Sequence, residues 1–272
     1  MKANATITVR RPALSFPARL DPILLEAQPE LSYALIGLSL LLPSLEPYLI
    51  RTMNQAKRSV RDPELLEAIA LFNAQEGQHY RLHARFNEAV REDCAALARL
   101  EEELASDYDR FSATRSLPWN LAYAEGFEAF TAALACFLSE EQILRDAHPA
   151  ARDLFEWHIY EELEHRCVAF DVYEHVHGSY PYRVAVGLYA QRHLGRFALR
   201  ATRAMLKRDR QRGRDHGGKA QARARLRPFL SLAARRLLPK VLRTYSPLYT
   251  PRQIRIPAGA ELVLQRLASA QP

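Results

Sequence analysis

The sequence predicts an all-α protein, and three observations lead to this prediction. Hydrophobic residues make up 48% of the 272-residue chain, enough to bury a large core, and only 10 residues are glycine. The long apolar segments repeat with the spacing of helix faces and lack the alternating β-branched pattern of strands. Helix-starting residues precede several of them, such as Asp62 followed by Pro63.

The predicted helices follow an extended, proline-punctuated segment over residues 1–29. Capping and breaking residues place the helices over about residues 30–58, 62–110, 116–138, 149–178, 184–208 and 222–243. Pro43 and Pro47 are expected to interrupt the first helix, and the second helix is expected to contain a break. Residues 207–225 are rich in arginine and glycine and are expected to form a mobile loop.

The charge of the chain is divided unevenly. Residues 1–191 contain 18 basic and 28 acidic residues, a net charge of −10, whereas residues 192–243 contain 17 basic and two acidic residues, a net charge of +15. We therefore expect three parts: the extended segment over 1–29, a helical bundle over 30–191, and a basic helical extension over 192–272 that packs on the bundle.

The composition favours a cytoplasmic protein. The N-terminal residues lack the apolar stretch of a secretory signal. The apolar stretch "LSYALIGLSLLLP" is too short to span a bilayer and is interpreted as a buried helix. Cys94, Cys136 and Cys167 are far apart and odd in number, which indicates reduced, buried thiols rather than a disulfide framework.

Two E-x-x-H motifs carry the chemistry. Glu76 and His79 form the first, and Glu162 and His165 form the second; this spacing puts each pair on one face of its helix. The first pair lies on an apolar stripe that includes Phe72. Burying a carboxylate and an imidazole there is costly unless a cation compensates them. A third such pair, at residues 174 and 177, lies at a helix end and is interpreted as chance.

Four-helix bundles with a di-metal carboxylate centre combine two such motifs with one glutamate from each of the other two helices. The first predicted helix offers Glu46, and the third offers Glu128 or Glu125. The sequence thus predicts a ferritin-like four-helix bundle with additional C-terminal helices. The predicted metal ligands are Glu46, Glu76, His79, Glu128, Glu162 and His165.

Four further residues remain as alternatives or supports. Glu161 could take the place of Glu162, and Glu125 that of Glu128. His83 and His158 lie one turn from the motif residues, and we expect them to support the ligands or line a channel rather than bind metal.

The segments "LLPSLEPYLIR", "QEGQHYRLHARFN", "FEAFTAALA" and "WHIYEELEHRCVAFDVY" resemble a bacterial family catalogued as predicted metal-dependent hydrolases, within the ferritin-like superfamily. The resemblance covers about residues 5–255. It favours Glu128 over Glu125, because Glu128 falls on the glutamate of the family's helix-three motif. The chain has Ala129 where that motif has histidine, so any role of that side chain is absent here.

The predicted ligands favour two ions of a redox-active metal such as iron or manganese. Carboxylates with one histidine per metal suit iron, manganese or a mixed pair better than zinc or magnesium. The leading hypothesis is a di-iron, O₂-dependent oxidoreductase acting on an apolar or amphiphilic small molecule. Phe72, Phe127, Phe130 and Val168 are expected to form its apolar pocket. The alternatives are a metal-dependent hydrolase that uses a bridging hydroxide, and a non-enzymatic iron-binding protein.

The sequence also leads to expectations about partners. It has no flavin or nicotinamide motif, so an oxidoreductase would need an external electron donor. The basic extension is expected to pack on the acidic body, with peripheral contact to anionic lipid as the alternative. No nucleic acid is expected, because no recognition module accompanies the charge. A homodimer is compatible with the sequence.

Overall fold

The computed structural model describes residues 6–91, 94–214, 216–257 and 259–269. No strand occurs within these ranges, so the all-α prediction is confirmed. The helices are α1 (Pro29–Ser39), α2 (Leu42–Ala56), α3 (Pro63–Val90), α4 (Ala95–Thr114), α5 (Leu117–Glu140), α6 (Pro149–His165), α7 (Val168–Val176), α8 (Tyr180–Gln211), α9 (Lys219–Arg236), α10 (Leu238–Thr244) and α11 (Ala260–Ser269).

Side-chain caps and prolines set several helix starts. Asp62 accepts a hydrogen bond from the Glu64 amide at the start of α3, as the sequence indicates. The predicted interruption of the first helix falls at residues 40–41, just before Pro43. Pro43 lies in the first turn of α2, where its missing N–H is not needed, and Pro47 is accommodated within the helix.

The predicted helix over 149–178 is wrong in one respect, because it is divided at residues 166–167 into α6 and α7. The guanidinium of Arg166 donates to the carbonyl of Leu163, which would accept from the Cys167 amide in a continuous helix. The side chain of Arg166 also donates to the carbonyl of Pro251 at 3.1 Å. The helix that carries the second motif therefore ends directly after His165.

The C-terminal part differs more from the prediction. Most of the predicted loop over 207–225 is helical, since α8 continues to Gln211 and α9 begins at Lys219. The predicted helix over 222–243 is divided between α9 and α10, where Pro239 in the first turn of α10 cannot donate a helical hydrogen bond. The expected division at residues 191 and 192 lies inside α8.

The four helices that carry the predicted ligands surround one core. α2 packs against α3 and α5, and α6 packs against the same two helices. Leu45, Phe72, Phe86 and Trp157 are fully buried between them. This packing places the inward faces of α2, α3, α5 and α6 opposite one another.

The long helix α8 crosses the outside of this group and packs against α5, α1 and α4. It approaches α5 closely at Gly126 and Gly187, where a β-carbon built on Gly126 would lie 2.4 Å from the Cα of Gly187. Gln191 donates to the carbonyl of Gly126 at 3.1 Å. Glycine at this crossing lets the two backbones touch.

Basic residues of the C-terminal part form ion pairs with the acidic body. Lys240 contacts Glu140 at 2.9 Å, Arg236 contacts Glu141 at 3.3 Å, and Arg225 pairs with Glu30. Exposed pairs of this kind stabilise a fold only slightly. They do show how the two oppositely charged parts of the chain meet.

In the part of the chain that the structure describes, two helical stretches, Pro29–Ala56 and Leu117–Glu140, are long and apolar enough to cross a membrane. Their most apolar windows are 67% and 83% buried inside the protein, respectively. Core packing accounts for this hydrophobicity.

Candidate metal centre

The structure brings the six predicted ligands together in the middle of the four helices. Glu46 comes from α2, the first E-x-x-H pair from α3, Glu128 from α5 and the second pair from α6. None of the six is more than 2% exposed to solvent. Each motif puts its carboxylate and imidazole on the inward face of its helix, because residues three apart are neighbours there.

The imidazole of His165 is at the centre of the shortest contacts. Its Nε2 lies 3.3 Å from Glu76 Oε1, 3.4 Å from Glu128 Oε2 and 3.4 Å from Glu162 Oε1. His79 Nδ1 lies 3.7 Å from Glu76 Oε1 and 3.6 Å from Glu162 Oε1. Residues from three different helices therefore converge on one small volume.

Many of these atoms make no hydrogen bond within the described part of the chain. The buried atoms of the cluster without a hydrogen-bonding partner are both carboxylate oxygens of Glu46, Glu76 and Glu128, together with His79 Nδ1 and His165 Nε2. Buried polar atoms are rarely left in this state, because each costs roughly 1–3 kcal/mol or more. Cations coordinated by these oxygen and nitrogen atoms would compensate them.

Within the described residues, three groups of donor atoms are close enough to hold an ion, with all atoms of a group within 4.8 Å of one another. They are Glu46 with His79 and His158, Glu76 with Glu128 and His165, and Glu76 with His79 and Glu162. The first two groups share no residue. The donors present thus fit a metal ion.

Burial and mutual repulsion perturb the carboxylates. Burial, followed by the charge of Glu162, raises the pKa of Glu76 and that of Glu128 to about 8. Burial and the charge of Glu76 raise the pKa of Glu46 well above its usual value. Burial alone would raise the pKa of Glu162, but the charges and hydrogen bonds of His165 and His158 together outweigh burial and hold that pKa well below the usual value. Without a cation, the cluster retains protons at neutral pH.

Glu161 lies behind His79 rather than among the carboxylates. Its Oε2 is 3.2 Å from His79 Nε2, the nitrogen that faces away from Glu76 and Glu162. Arg10, from the N-terminal segment, lies 3.5 Å from Glu161 Oε1. Glu161 therefore orients His79, as carboxylates behind metal-binding histidines do.

His165 has an equivalent support that the sequence analysis missed. Its Nδ1 is 2.9 Å from Gln75 Oε1. The amide nitrogen of Gln75 donates to the Thr8 carbonyl and to Glu164 Oε2, each at 3.0 Å. These two bonds fix the orientation of the amide, so Gln75 Oε1 accepts from His165 and Nε2 of the imidazole faces the carboxylates. Arg10 in turn donates to both carboxylate oxygens of Glu164 at 2.8 Å.

His158 lies closer to the carboxylates than the sequence analysis expects. Its Nε2 is 3.1 Å from Glu162 Oε1 and 3.8 Å from Glu46 Oε1, and its Nδ1 is 2.8 Å from His83 Nε2. His83 lies behind His158, on the side away from the carboxylates. Burial and the neighbouring His158 hold the pKa of His83 well below its usual value.

Glu125, the alternative to Glu128, lies outside all three donor groups. It forms a buried ion pair with Arg183 of α8 at 2.8 Å. Burial raises its pKa to about 7, although Arg183 opposes this shift. The third E-x-x-H pair, Glu174 and His177, is exposed at the end of α7.

A small apolar cavity adjoins the cluster between α1, α2, α5 and α6. Its volume is about 70 Å³, and its walls include Leu38, Phe127, Phe130 and Leu134. His83, His158 and Glu162 lie at its polar end. Thr131, also in its wall, donates to Glu162 Oε2 at 2.8 Å.

Two of the four apolar neighbours expected from the sequence, Phe127 and Phe130, are therefore in this wall. Phe72 instead packs its ring edge-on against His165, with ring centres 4.7 Å apart. Val168 lines a separate surface cavity beside Glu164.

The fold and the cluster define a helical protein with a buried carboxylate–histidine site suited to metal. A family model described as predicted metal-dependent hydrolase matches residues 8–255, so the chain belongs to this family. The family resemblance in the sequence is thereby confirmed. No curated protein and no solved structure is significantly similar to the chain.

Proposed function

We propose that the protein is a metal-dependent hydrolase that binds two metal ions through the six predicted ligands. The observation that carries this proposal is the convergence of buried carboxylate oxygens and imidazole nitrogens that make no hydrogen bond within the described residues. The description of the family supports hydrolysis over the O₂-dependent oxidation that the sequence analysis placed first. The packing of α2, α3, α5 and α6 supports the ferritin-like bundle as the fold of this centre.

Two divalent ions at this position would polarise a carbonyl or phosphoryl oxygen and lower the pKa of a bound water. The chain's own residues orient and shield the site. Glu161 and Gln75 hold His79 and His165 with one nitrogen toward the carboxylates. Thr131 fixes one oxygen of Glu162 at the end of the cavity, and the apolar walls exclude water from that side.

The cavity supports a substrate with a slender apolar part. A space of about 70 Å³ with leucine and phenylalanine walls suits an alkyl or acyl chain. Its polar end at His158 and Glu162 would place the bond to be cleaved beside the centre. We therefore propose an ester, amide or phosphoester of an apolar or amphiphilic small molecule as the substrate class.

The test is hydrolysis by full-length protein loaded with iron, manganese or zinc, using esters and phosphoesters of short linear chains. We expect metal-stimulated cleavage that Glu76→Gln abolishes. Glu174→Gln is the matched control, because it changes the exposed E-x-x-H pair outside the site and should leave the rate unchanged. Absence of cleavage with every metal and every substrate class would overturn the proposal.

An O₂-dependent oxidoreductase remains the second candidate, and the donor set favours it. Four glutamates offset much of the charge of two divalent ions and suit iron in higher oxidation states. The adjoining apolar cavity would protect an oxidisable substrate. O₂ uptake after anaerobic loading with ferrous iron, without any metal-stimulated hydrolysis, would establish this candidate instead. It alone requires the external electron donor.

Contact with a membrane surface is a further proposal for the basic extension. Leu230, Leu238 and Leu242 are 58%, 49% and 58% exposed among the arginines of α9 and α10. Apolar side chains within a basic surface favour anionic lipid, where an amphiphilic substrate would be found. The cytoplasmic location, the homodimer and the absence of nucleic acid remain predictions from the sequence.

A further inference from the structure

A buried chain of hydrogen bonds leads from α3 to the metal centre. Ser39 Oγ lies 2.6 Å from Asn87 Oδ1 and 2.8 Å from His83 Nδ1. His83 Nε2 lies 2.8 Å from His158 Nδ1. None of these four residues is more than 6% exposed, so water cannot readily exchange with the chain.

The donor and acceptor of each hydrogen bond in this chain follow from the orientation of Asn87, at the end away from the metal centre. Asn87 Nδ2 donates to the carbonyl of Ser39 at 3.0 Å, which fixes the amide and makes Oδ1 the acceptor. The hydroxyl of Ser39 therefore donates to Asn87 and has only lone pairs left for His83. We assign the proton of His83 to Nδ1 on this basis, because two acceptors cannot face each other at 2.8 Å.

The tautomer of His158 follows from that of His83. With its proton on Nδ1, a neutral His83 offers a lone pair at Nε2, so His158 donates from Nδ1. Nε2 of a neutral His158 is then an acceptor as well. It faces Glu162 Oε1 at 3.1 Å and Glu46 Oε1 at 3.8 Å, which are also acceptors. Three acceptors in such proximity need a proton or a metal ion between them.

We propose that His158 is a metal ligand and that the two metal positions are chemically different. One position takes Glu46, His79 and His158, and the other takes Glu76, Glu128 and His165. Glu162 Oε1 lies 3.1–3.6 Å from the facing nitrogens of all three imidazoles and is placed to bridge the positions. This inference rests on the metal-binding part of the proposed function, but not on hydrolysis.

The two donor sets favour different ions. Two imidazoles and one carboxylate form a set found in catalytic zinc sites, and one that also suits ferrous iron. One imidazole and two carboxylates form a harder set that suits manganese. We therefore expect the position with two histidines to bind zinc first and more tightly, and the other position to retain manganese.

The hydrogen-bonding partners behind the three imidazoles agree with this assignment. His79, His158 and His165 each have one nitrogen held by a partner behind it, namely Glu161, His83 and Gln75, respectively. The remaining nitrogen of each imidazole faces the carboxylates. Metal-binding histidines are commonly oriented in this way, and His158 has the same arrangement as the two motif histidines.

The experiment is calorimetric titration of metal-free, full-length protein with zinc and then with manganese, followed by elemental analysis. We expect two unequal binding steps in the wild type. His158→Gln should lower the affinity of the tighter zinc-binding step by more than about 100-fold, while manganese binding persists. Ser39→Ala should lower the same zinc affinity by roughly 10–100-fold. His175→Gln is the control, because His175 is exposed on α7.

If His158→Gln shows the same two metal-binding steps as the wild type, the inference is overturned and the proposed function stays intact. If the wild type binds no metal, both are overturned. Nitrogen-15 NMR of the zinc-loaded wild type provides a test that needs no variant. We expect His158 to carry its proton on Nδ1 and an unprotonated Nε2. Protonation at Nε2 would make His158 a donor to Glu162 and would refute its assignment as a ligand.

Discussion

Replacing Gly126 by alanine tests whether the crossing of α5 and α8 positions the metal centre. The new β-carbon would lie 2.4 Å from the Cα of Gly187. Non-bonded carbon atoms prefer about 3.5–4.0 Å, so the backbones would have to separate by roughly 1.1–1.6 Å. The nearest atoms belong to the backbone of Gly187, so no flexible side chain can move aside to make room.

The expected cost follows from two opposing effects. Overpacking of this kind destabilises a fold by about 1–3 kcal/mol or more, whereas alanine in place of glycine favours a helix by about 1 kcal/mol. We expect Gly126→Ala to lower the free energy of unfolding by about 1–2 kcal/mol and the Tm by about 3–6 °C. Glu128 follows two residues later on α5, so metal affinity should also fall.

Gly187→Ala is the matched variant at the same crossing. Its β-carbon would lie 3.4 Å from the Cα of Gly126, an ordinary contact, so the helix preference of alanine should make this variant neutral or slightly stabilising. Urea unfolding and calorimetric metal titration of both variants provide the assay. Equal effects of the two substitutions, or a destabilised Gly126→Ala with unchanged metal affinity, would refute the reasoning.

Three further predictions concern the centre and its surroundings. The pKa values of Glu76 and Glu128 are raised to about 8 from 4.5, so between pH 5 and pH 8 the native metal-free protein holds protons that the unfolded chain has released. Its stability should therefore fall from pH 5 to pH 8, and metal binding at pH 7 should release at least these two protons. Equal heats of metal binding in buffers of different ionisation enthalpy would contradict this. Arg183→Met should lower the unfolding free energy by about 3–5 kcal/mol in urea denaturation, because it leaves Glu125 buried without its partner, and adding Glu125→Gln should restore much of the loss. Phe130→Leu should shift kcat/KM toward branched chains by about 10-fold or more, and an unchanged preference would argue against the cavity as the substrate site.

Spacing along the helix predicted much of the centre. The E-x-x-H motifs supplied four of the residues that the structure brings together, since residues three apart share a helix face whatever the rest of the chain does. The helix starts at Asp62 and Ser116 were also local signals. All-α architecture followed from the same periodicity.

Contacts between distant residues were not predictable in this way. Glu125 and Glu128 are three residues apart, so helical spacing does not distinguish their roles. The structure distinguishes them because Arg183, 58 residues from Glu125 in the sequence, donates a hydrogen bond to the Glu125 carboxylate. Gln75 likewise has no spacing that marks it as the partner of His165. The division between α6 and α7 depends on a guanidinium that reaches back to a helix carbonyl, and a periodic pattern does not encode that.

The depth of the carboxylates would also determine how quickly the centre exchanges any metal ion that it binds. With its donor side chains at most 6% exposed, an ion can leave only when part of the protein opens, and such openings are infrequent in a packed core. The N-terminal segment adds to this barrier through the contacts of Thr8 and Arg10 behind the imidazoles. The ions present in purified protein would then reflect the supply at the time of folding, and changing the medium afterwards would alter them only over long incubation.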